Sequence, residues 1–182
     1  MADSIQNVYS TALFELCGEQ DCLGTVFDEL GEIAKLTFSA ENREYAQFLS
    51  SPLISAEDKT RSLDTVFGGK ISQLTLDFLC LLAEKGRFSY LPQVYEDFRA
   101  KYNEKMNILE VTAVTVQPMS AELSAKLKAK LEKVSGKTVV LTEKTDKSIL
   151  GGIVLKYGNT EINSSVKARL DKLRAQIDNV IA

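Results

Sequence analysis

The sequence contains no histidine, and its 182 residues include only three cysteines. Without histidine the chain lacks the commonest general base and the commonest neutral metal ligand, so Ser-His and Cys-His catalytic pairs are excluded. Cys17, Cys22 and Cys80 are an odd set without a second cysteine pair, so we expect buried thiols in a reducing compartment. These absences disfavour an enzyme, and they predict neither a metal site nor a bound cofactor.

Long apolar runs are missing as well. No stretch approaches the roughly 20 residues that a helix needs to cross a bilayer. The N-terminus lacks the basic segment and apolar core of a secretory signal. We therefore expect a cytoplasmic protein without direct membrane insertion, and a peripheral location through a partner stays open.

Charge is distributed unevenly along the chain. Residues 1–105 carry 17 acidic and 10 basic side chains, a balance of −7, whereas residues 106–182 carry 8 acidic and 12 basic, a balance of +4. A sign change of this kind fits two domains with different surfaces. The basic second half leaves open one alternative, a two-domain adaptor that binds nucleic acid.

The pattern of apolar residues in the first 105 positions predicts helices and no strands. Helical spacing recurs in six segments; Pro52 should end the third, and Ser55 with Asp58 should cap the fourth. We expect a compact bundle of six short helices. The first helix has its apolar positions at Ile5, Val8, Tyr9, Ala12, Leu13 and Leu16.

The fifth segment, residues 71–85, is apolar on nearly every side. Asp77 and Glu84 are its main interruptions. Such a helix is either central in its bundle, or it covers the core with one face and a partner with the other. The sequence leaves these two interpretations open.

The second half changes character. Residues 108–116 and 138–142 are β-branched and predict strands, and a helix from Ser120 to Gly136 separates them. Residues 149–157, which include Gly151-Gly152, and residues 160–162 predict a β-hairpin. A final amphipathic helix should begin at Ser165, with its apolar positions at Val166, Leu170, Leu173, Ile177 and Ile181. The predicted class is therefore α+β, with a helical domain (1–105) and a small α/β domain (106–182).

Two motifs could carry chemistry, and neither fits its template well. Gly151-Gly152 lies in a predicted strand, whereas a phosphate loop follows a strand and opens a helix, so we interpret the pair as a site of close backbone approach. The lysines of the helix from Ser120 point in several directions without stacking aromatics, which favours a solvated face over a nucleic-acid surface.

Four segments resemble one family. They are Tyr9-Ser-Thr-Ala12-Leu13-Phe14, Phe48-Leu-Ser-Ser-Pro52, Phe78-Leu-Cys-Leu-Leu-Ala83-Glu84-Lys85-Gly86-Arg87, and the run from Asp146 through Gly151-Gly152 to Leu170. Together they are similar to the delta subunit family of F-type ATP synthases, whose mitochondrial counterpart is the oligomycin-sensitivity-conferring protein. Asn163 and Ser164 depart from the Asp and Gly that the family usually has, although Asn can serve the same turn and cap roles.

The resemblance implies a non-catalytic stator subunit that supports proton-driven rotary ATP synthesis. The helical domain would bind the N-terminal helix of the alpha subunit in a groove between the first and fifth helices, and the C-terminal domain would hold the C-terminal end of the b subunit. Such a subunit belongs to a hetero-oligomeric complex, peripheral on the cytoplasmic face of the cell membrane, with no nucleic-acid partner. For that groove we expect contacts at Tyr9, Ala12, Leu13, Leu16, Phe78, Leu81, Leu82 and Arg87. Some of these residues must belong to the core instead, and the sequence does not show which.

Overall fold

The computed structural model describes residues 5–147, 149, 151–158, 160–166 and 170. The chain divides into two compact units, Met1–Tyr102 and Asn103–Ala182. Within the described residues, seven α-helices and one four-stranded sheet follow one another along the chain. The α+β class predicted from the sequence is therefore confirmed. None of the described helices has both the length and the apolar character that a bilayer crossing requires.

The first unit is helical throughout its described part. A short 3₁₀ turn, Phe88–Tyr90, separates its last two helices. The helices are α1 (Ile5–Glu19), α2 (Leu23–Thr37), α3 (Arg43–Ser50), α4 (Ala56–Phe67), α5 (Gln73–Glu84) and α6 (Leu91–Lys105), the last of which runs three residues past the unit boundary.

Local chemistry sets several of these helix ends. α3 stops before Pro52, with Ser51 already in an extended conformation, as expected for the residue before a proline. The Ser55 hydroxyl accepts a hydrogen bond from the backbone N–H of Asp58 at 3.1 Å and so caps α4. Ser72 caps α5 in the same way, by accepting from Thr75 N–H. These caps satisfy helix donors that have no partner within the helix.

The core of the first unit draws apolar side chains from α1, α2, α3, α4, α5, α6 and the 3₁₀ turn. Because each helix contributes one apolar stripe, the stripes meet at a common centre. The largest fully buried side chains there are Phe88, Phe98, Leu13, Leu30, Leu49, Leu63, Leu79, Leu82 and Leu91.

The second unit is built on a mixed sheet with strand order β2-β1-β3-β4. The strands are β1 (Ile108–Thr115), β2 (Thr138–Thr145), β3 (Ile153–Tyr157) and β4 (Thr160–Asn163). β1 and β2 pair in parallel and are joined by helix α7 (Ala121–Ser135), whereas β3 runs antiparallel to both β1 and β4.

The side chains of β1 alternate between the two faces of the sheet. Val111 and Ala113 are buried on one face together with Val139 of β2, which pairs in register beside β1. α7 has Ser120 as its N-cap and ends at Gly136 in the left-handed conformation. No residue of α7 is fully buried, and Val134 is 80% exposed.

The strand predicted over residues 149–157 begins only at Ile153, because Gly151 and Gly152 take positive φ angles of 156° and 89° that a regular strand does not use. Of the predicted final helix, Val166 and Leu170 are helical. Leu173, Ile177 and Ile181 lie outside the described residues.

Candidate functional site

A surface groove runs between α1 and α5 and encloses about 370 Å³. We call it the α1–α5 groove. Its wall is almost entirely apolar, and Arg87 is the charged residue among its described lining. The lining residues are Ile5, Val8, Tyr9, Ala12, Leu13, Leu16, Phe78, Leu81 and Arg87.

The α1 wall follows from the helical repeat. Positions three and four apart share one face of a helix, so the apolar positions of α1 form a single stripe. That stripe is wider than the core requires: Leu13 is buried, whereas Val8 is 54% and Leu16 45% exposed. Ala12 lies between them with a side chain small enough for a partner backbone to approach closely.

The α5 wall is held in place from its N-terminus. The carboxylate of Glu29 on α2 accepts hydrogen bonds from the backbone N–H of Ser72 at 2.7 Å, from the Ser72 hydroxyl at 2.7 Å and from the Thr75 hydroxyl. A negative charge at this helix start also suits the helix dipole. Glu29 therefore fixes α5 to α2, and with it the groove wall that Leu81 provides.

The position of Arg87 is a consequence of how α5 ends. Gly86 has φ +64°, and the backbone N–H of Arg87 donates back to the carbonyl of Leu82 at 2.8 Å. This is the Schellman ending of a helix, which reverses the chain direction and which glycine adopts without steric cost. The reversal directs Arg87 towards α1.

Arg87 is bound to the α1 wall through Tyr9. Its Nη1 donates a hydrogen bond to the Tyr9 hydroxyl at 2.9 Å, and its guanidinium carbon lies 5.6 Å from the centre of the Tyr9 ring. The same ring meets Phe78 edge to face, with 6.3 Å between ring centres. Tyr9 and Phe78 thus form an aromatic contact between the α1 and α5 walls of the groove, and the Arg87 guanidinium lies beside it.

The structure places the eight predicted groove residues in two groups. Seven of them line the α1–α5 groove, of which Leu13 and Phe78 are largely buried. Leu82 does not line it, because its side chain is fully buried in the core of the first unit. Ile5 and Val8 line the groove and were not among the eight, although their spacing places them on the same stripe of α1.

The groove's chemistry suits binding and offers no catalytic arrangement. Among the described residues, no group of three His, Cys, Asp or Glu side chains could hold a metal ion. An apolar trough flanked by an oriented guanidinium fits the apolar face of an amphipathic helix, the helix-in-groove mode of recognition.

In the second unit, Gly151 and Gly152 pack against the start of the final helix. The backbone N–H of Val166 donates to the carbonyl of Gly151 at 2.9 Å, and that of Ser164 donates to Ile153 at 3.0 Å. A Cβ atom on Gly152 would lie 2.7 Å from the carbonyl oxygen of Ser164. The pair is therefore a site of close backbone approach, as interpreted from the sequence.

Asn163 takes the turn role expected of it. Its side-chain oxygen accepts a hydrogen bond from the backbone N–H of Ser165 at 3.0 Å, just before the helical residue Val166. An aspartate would offer the same acceptor with a charge.

Comparisons with known proteins agree on one family. A family model described as ATP synthase delta (OSCP) subunit matches residues 5–177. The ATP synthase subunit delta of Clostridioides difficile strain 630 is 31% identical over 182 residues and covers 100% of both chains. That of Chloroherpeton thalassium is 34% identical over 166 residues, which is 91% of this chain and 90% of the relative.

A solved structure shares the fold over nearly the whole chain. It is a chain of the cryo-EM structure of the Toxoplasma gondii mitochondrial ATP synthase hexamer, with a TM-score of 0.75 and 26% sequence identity. The match covers 96% of this chain and 98% of that chain. The chain therefore belongs to the ATP synthase delta (OSCP) subunit family.

Proposed function

We propose that this chain is the non-catalytic stator subunit that links the catalytic head of an F-type ATP synthase to its peripheral stalk. Family membership confirms the function class predicted from the four sequence motifs and makes the chain a structural part of a hetero-oligomeric complex. This function replaces the alternative of a nucleic-acid adaptor that the basic second half had suggested.

The α1–α5 groove is the proposed site for the alpha subunit's N-terminal helix. The observation that supports it is the excess apolar surface of α1 and α5, which the core of the first unit leaves uncovered at Val8, Leu16 and Leu81. A bundle of α1–α6 that presents such a groove would hold the catalytic head. Leu82 is outside the proposed contact surface because it belongs to the core.

Leu81 allows a matched test of this assignment. It is 40% exposed on α5, and Val66 on α4 is 39% exposed without lining the groove. A partner can bury only the exposed 40% of Leu81, which is worth about 0.6–1.2 kcal/mol. Leu81→Glu removes that gain and also puts a charge into the apolar trough, so we expect affinity for the alpha subunit's N-terminal peptide to fall at least about tenfold. Val66→Glu should leave that affinity unchanged.

Calorimetric titration of the full chain with the alpha peptide measures both variants, after circular dichroism has shown that each retains its helix content. Ala12→Gln places a longer polar side chain between the exposed Val8 and Leu16 of the groove. It should therefore also weaken binding of the alpha peptide. Equal affinity of the wild type and Leu81→Glu would remove the groove from the alpha-binding site.

The C-terminal unit is the proposed site for the C-terminal end of the b subunit. Leu123 and Val134 on α7 are exposed and lie on one side of that helix. A stalk segment that covers them would bury apolar surface that α7 otherwise leaves in water. In this arrangement the chain lies on the cytoplasmic face of the membrane and is peripheral through the complex.

Titration of the full chain with a peptide from the C-terminal end of the stalk's b protein tests this second contact. We expect Leu123→Glu to weaken binding, whereas Ala125→Glu, an exposed position about 160° away around α7 given 100° per residue, should not. If both variants bound the stalk peptide as tightly as the wild type, the α7 surface would be excluded as the contact.

A further inference from the structure

The end of α1 brings two thiols together. Asp21 has φ +52°, and the backbone N–H of Cys22 donates to the carbonyl of Cys17 at 3.1 Å. This is again the Schellman arrangement, in which the second residue beyond a helix packs its side chain against the last helical turn. At this corner between α1 and α2, both of the residues that meet are cysteines.

The two cysteines pack against the same part of the core. Cys17 is fully buried in the core, and Cys22 is half-buried against the same cluster. The Cys22 thiol donates a weak hydrogen bond to the Cys17 carbonyl oxygen, with 3.9 Å between Sγ and O. A backbone hydrogen bond between the two residues keeps their Cα atoms within the roughly 7 Å that a disulfide can bridge.

We propose that Cys17 and Cys22 form a modification site, a dithiol that closes to an intrachain disulfide when the folded protein meets a peroxide. Its product fastens the last turn of α1, which also carries the groove residue Leu16, to the first turn of α2.

The two thiols react in a defined order. Cys22 is the more exposed; its thiolate sulfur attacks one peroxide oxygen, the O–O bond breaks, and the released hydroxide takes up a proton to give water. Cys22 is then a sulfenic acid. The sulfur of Cys17 attacks the Cys22 sulfur, the S–O bond breaks, and the oxygen leaves as water with the Cys17 proton. Two thiols have lost two electrons, and one hydrogen peroxide has become two waters.

The environment of Cys17 agrees with its role as the second thiol. Burial, with the neighbouring Cys22, raises the pKa of the Cys17 thiol to about 12. Cys17 is therefore protonated at neutral pH and reacts slowly with the peroxide. In the second step its proton passes to the departing oxygen while its sulfur attacks the neighbouring Cys22 sulfur, so a protonated Cys17 suits that step.

Cys80 provides an internal control. It lies half-buried on α5, where burial and then Asp77 raise the pKa of its thiol. Cys80 is a cysteine of the same chain, and its electrostatic neighbours are carboxylates, whereas Cys22 lies beside Cys17. Cys80→Ser should leave formation of the Cys17–Cys22 disulfide unchanged.

The test treats the folded full chain with hydrogen peroxide, blocks the remaining thiols and digests without reductant. Glu19 lies between the two cysteines, so a glutamate-specific protease separates them into two fragments unless a disulfide joins them. We expect a joined Cys17–Cys22 fragment in the wild type and in Cys80→Ser, and its complete loss in Cys22→Ser or after treatment with a thiol reductant.

Two outcomes would overturn the proposal. One is the absence of the joined fragment from the oxidised, folded wild type. The other is a joined fragment that forms as fast in concentrated urea as in the folded chain, because the geometry of the helix end would then contribute nothing.

Discussion

Replacement of Gly152 by alanine probes the packing between the Gly151-Gly152 segment and the start of the final helix. Gly152 has φ +89°, and a Cβ atom there would lie 2.7 Å from the Ser164 carbonyl oxygen and 2.9 Å from the Ser165 Cα. Both neighbours are backbone atoms, so no side chain can rotate away. The hydrogen bonds that Ser164 and Val166 donate hold that backbone in place.

The expected loss of stability has two parts. An L-residue forced to this φ costs about 1–3 kcal/mol, and the close contacts add about 1–3 kcal/mol of overpacking. A substitution at Gly158 isolates the backbone cost from the cost of the close contacts, because the φ of Gly158 is +51° and a Cβ atom there would meet nothing within 4 Å. Gly158→Ala should cost only the backbone term of about 1–2 kcal/mol.

Hydrogen exchange of the full chain, measured by mass spectrometry, is the appropriate assay. The chain has two units, and a single global midpoint would mix their transitions. The amides of β1 and β3 report on the second unit. There we expect exchange in Gly152→Ala to be faster than in Gly158→Ala by roughly 5- to 150-fold, which corresponds to about 1–3 kcal/mol.

The amides of the first unit serve as the control, and their exchange should be equal in both variants. Equal protection of β1 and β3 in the two glycine variants would refute the argument. The close approach of Gly152 to Ser164 would then contribute nothing to the stability of the second unit.

Three further predictions concern single side chains. Glu29→Ala should lower the free energy of unfolding of the first unit by about 2–3 kcal/mol, measured by hydrogen exchange of its core amides, because three donors around Ser72 lose a charged acceptor; a loss below about 0.5 kcal/mol would contradict this. Asn163→Asp should stabilise the second unit by about 0.3–1 kcal/mol at low salt and less at high salt, since the charge would lie close to the helical residue Val166; an unchanged or lower stability would argue against this favourable placement of the charge. Burial raises the pKa of Cys17 from 9.0 to about 12, so the folded state keeps a proton that the unfolded chain loses above pH 9. The contribution of the buried Cys17 thiol to the free energy of unfolding is therefore fully present below about pH 9 and is lost as the pH rises towards 12. The decline of the free energy of unfolding over this range should be shallower in Cys17→Val than in the wild type.

The order of the elements could be predicted from the sequence because local rules specify it. Helical spacing, Pro52 and the Ser55 cap defined α1 to α4 closely, and β-branched alternation located β1 and β2. The strand predicted over residues 149–157 was too long at its start. Its first residues follow the tertiary approach of Gly151-Gly152 to Ser164, which no local pattern reveals.

The groove was only partly predictable. The stripe on α1 was visible in the sequence, yet Ile5 and Val8 were left out of the proposed contacts. On α5, Leu81 and Leu82 have the same side chain at neighbouring positions. Periodicity shows that they point about 100° apart, and it does not show which of the two directions the rest of the bundle occupies.

The sequence by itself determined the family, the α+β class and the residue types that end each helix, since these depend on motifs, periodicity and backbone preferences of single residues. Only the tertiary structure decided which apolar residues remain at the surface. Leu82 is buried because neighbouring core side chains surround it, whereas Leu81 faces the space between α1 and α5. The left-handed turn at Gly86 brings Arg87 back onto Tyr9. Packing between distant segments, which no local pattern encodes, therefore turned two amphipathic stripes into one groove.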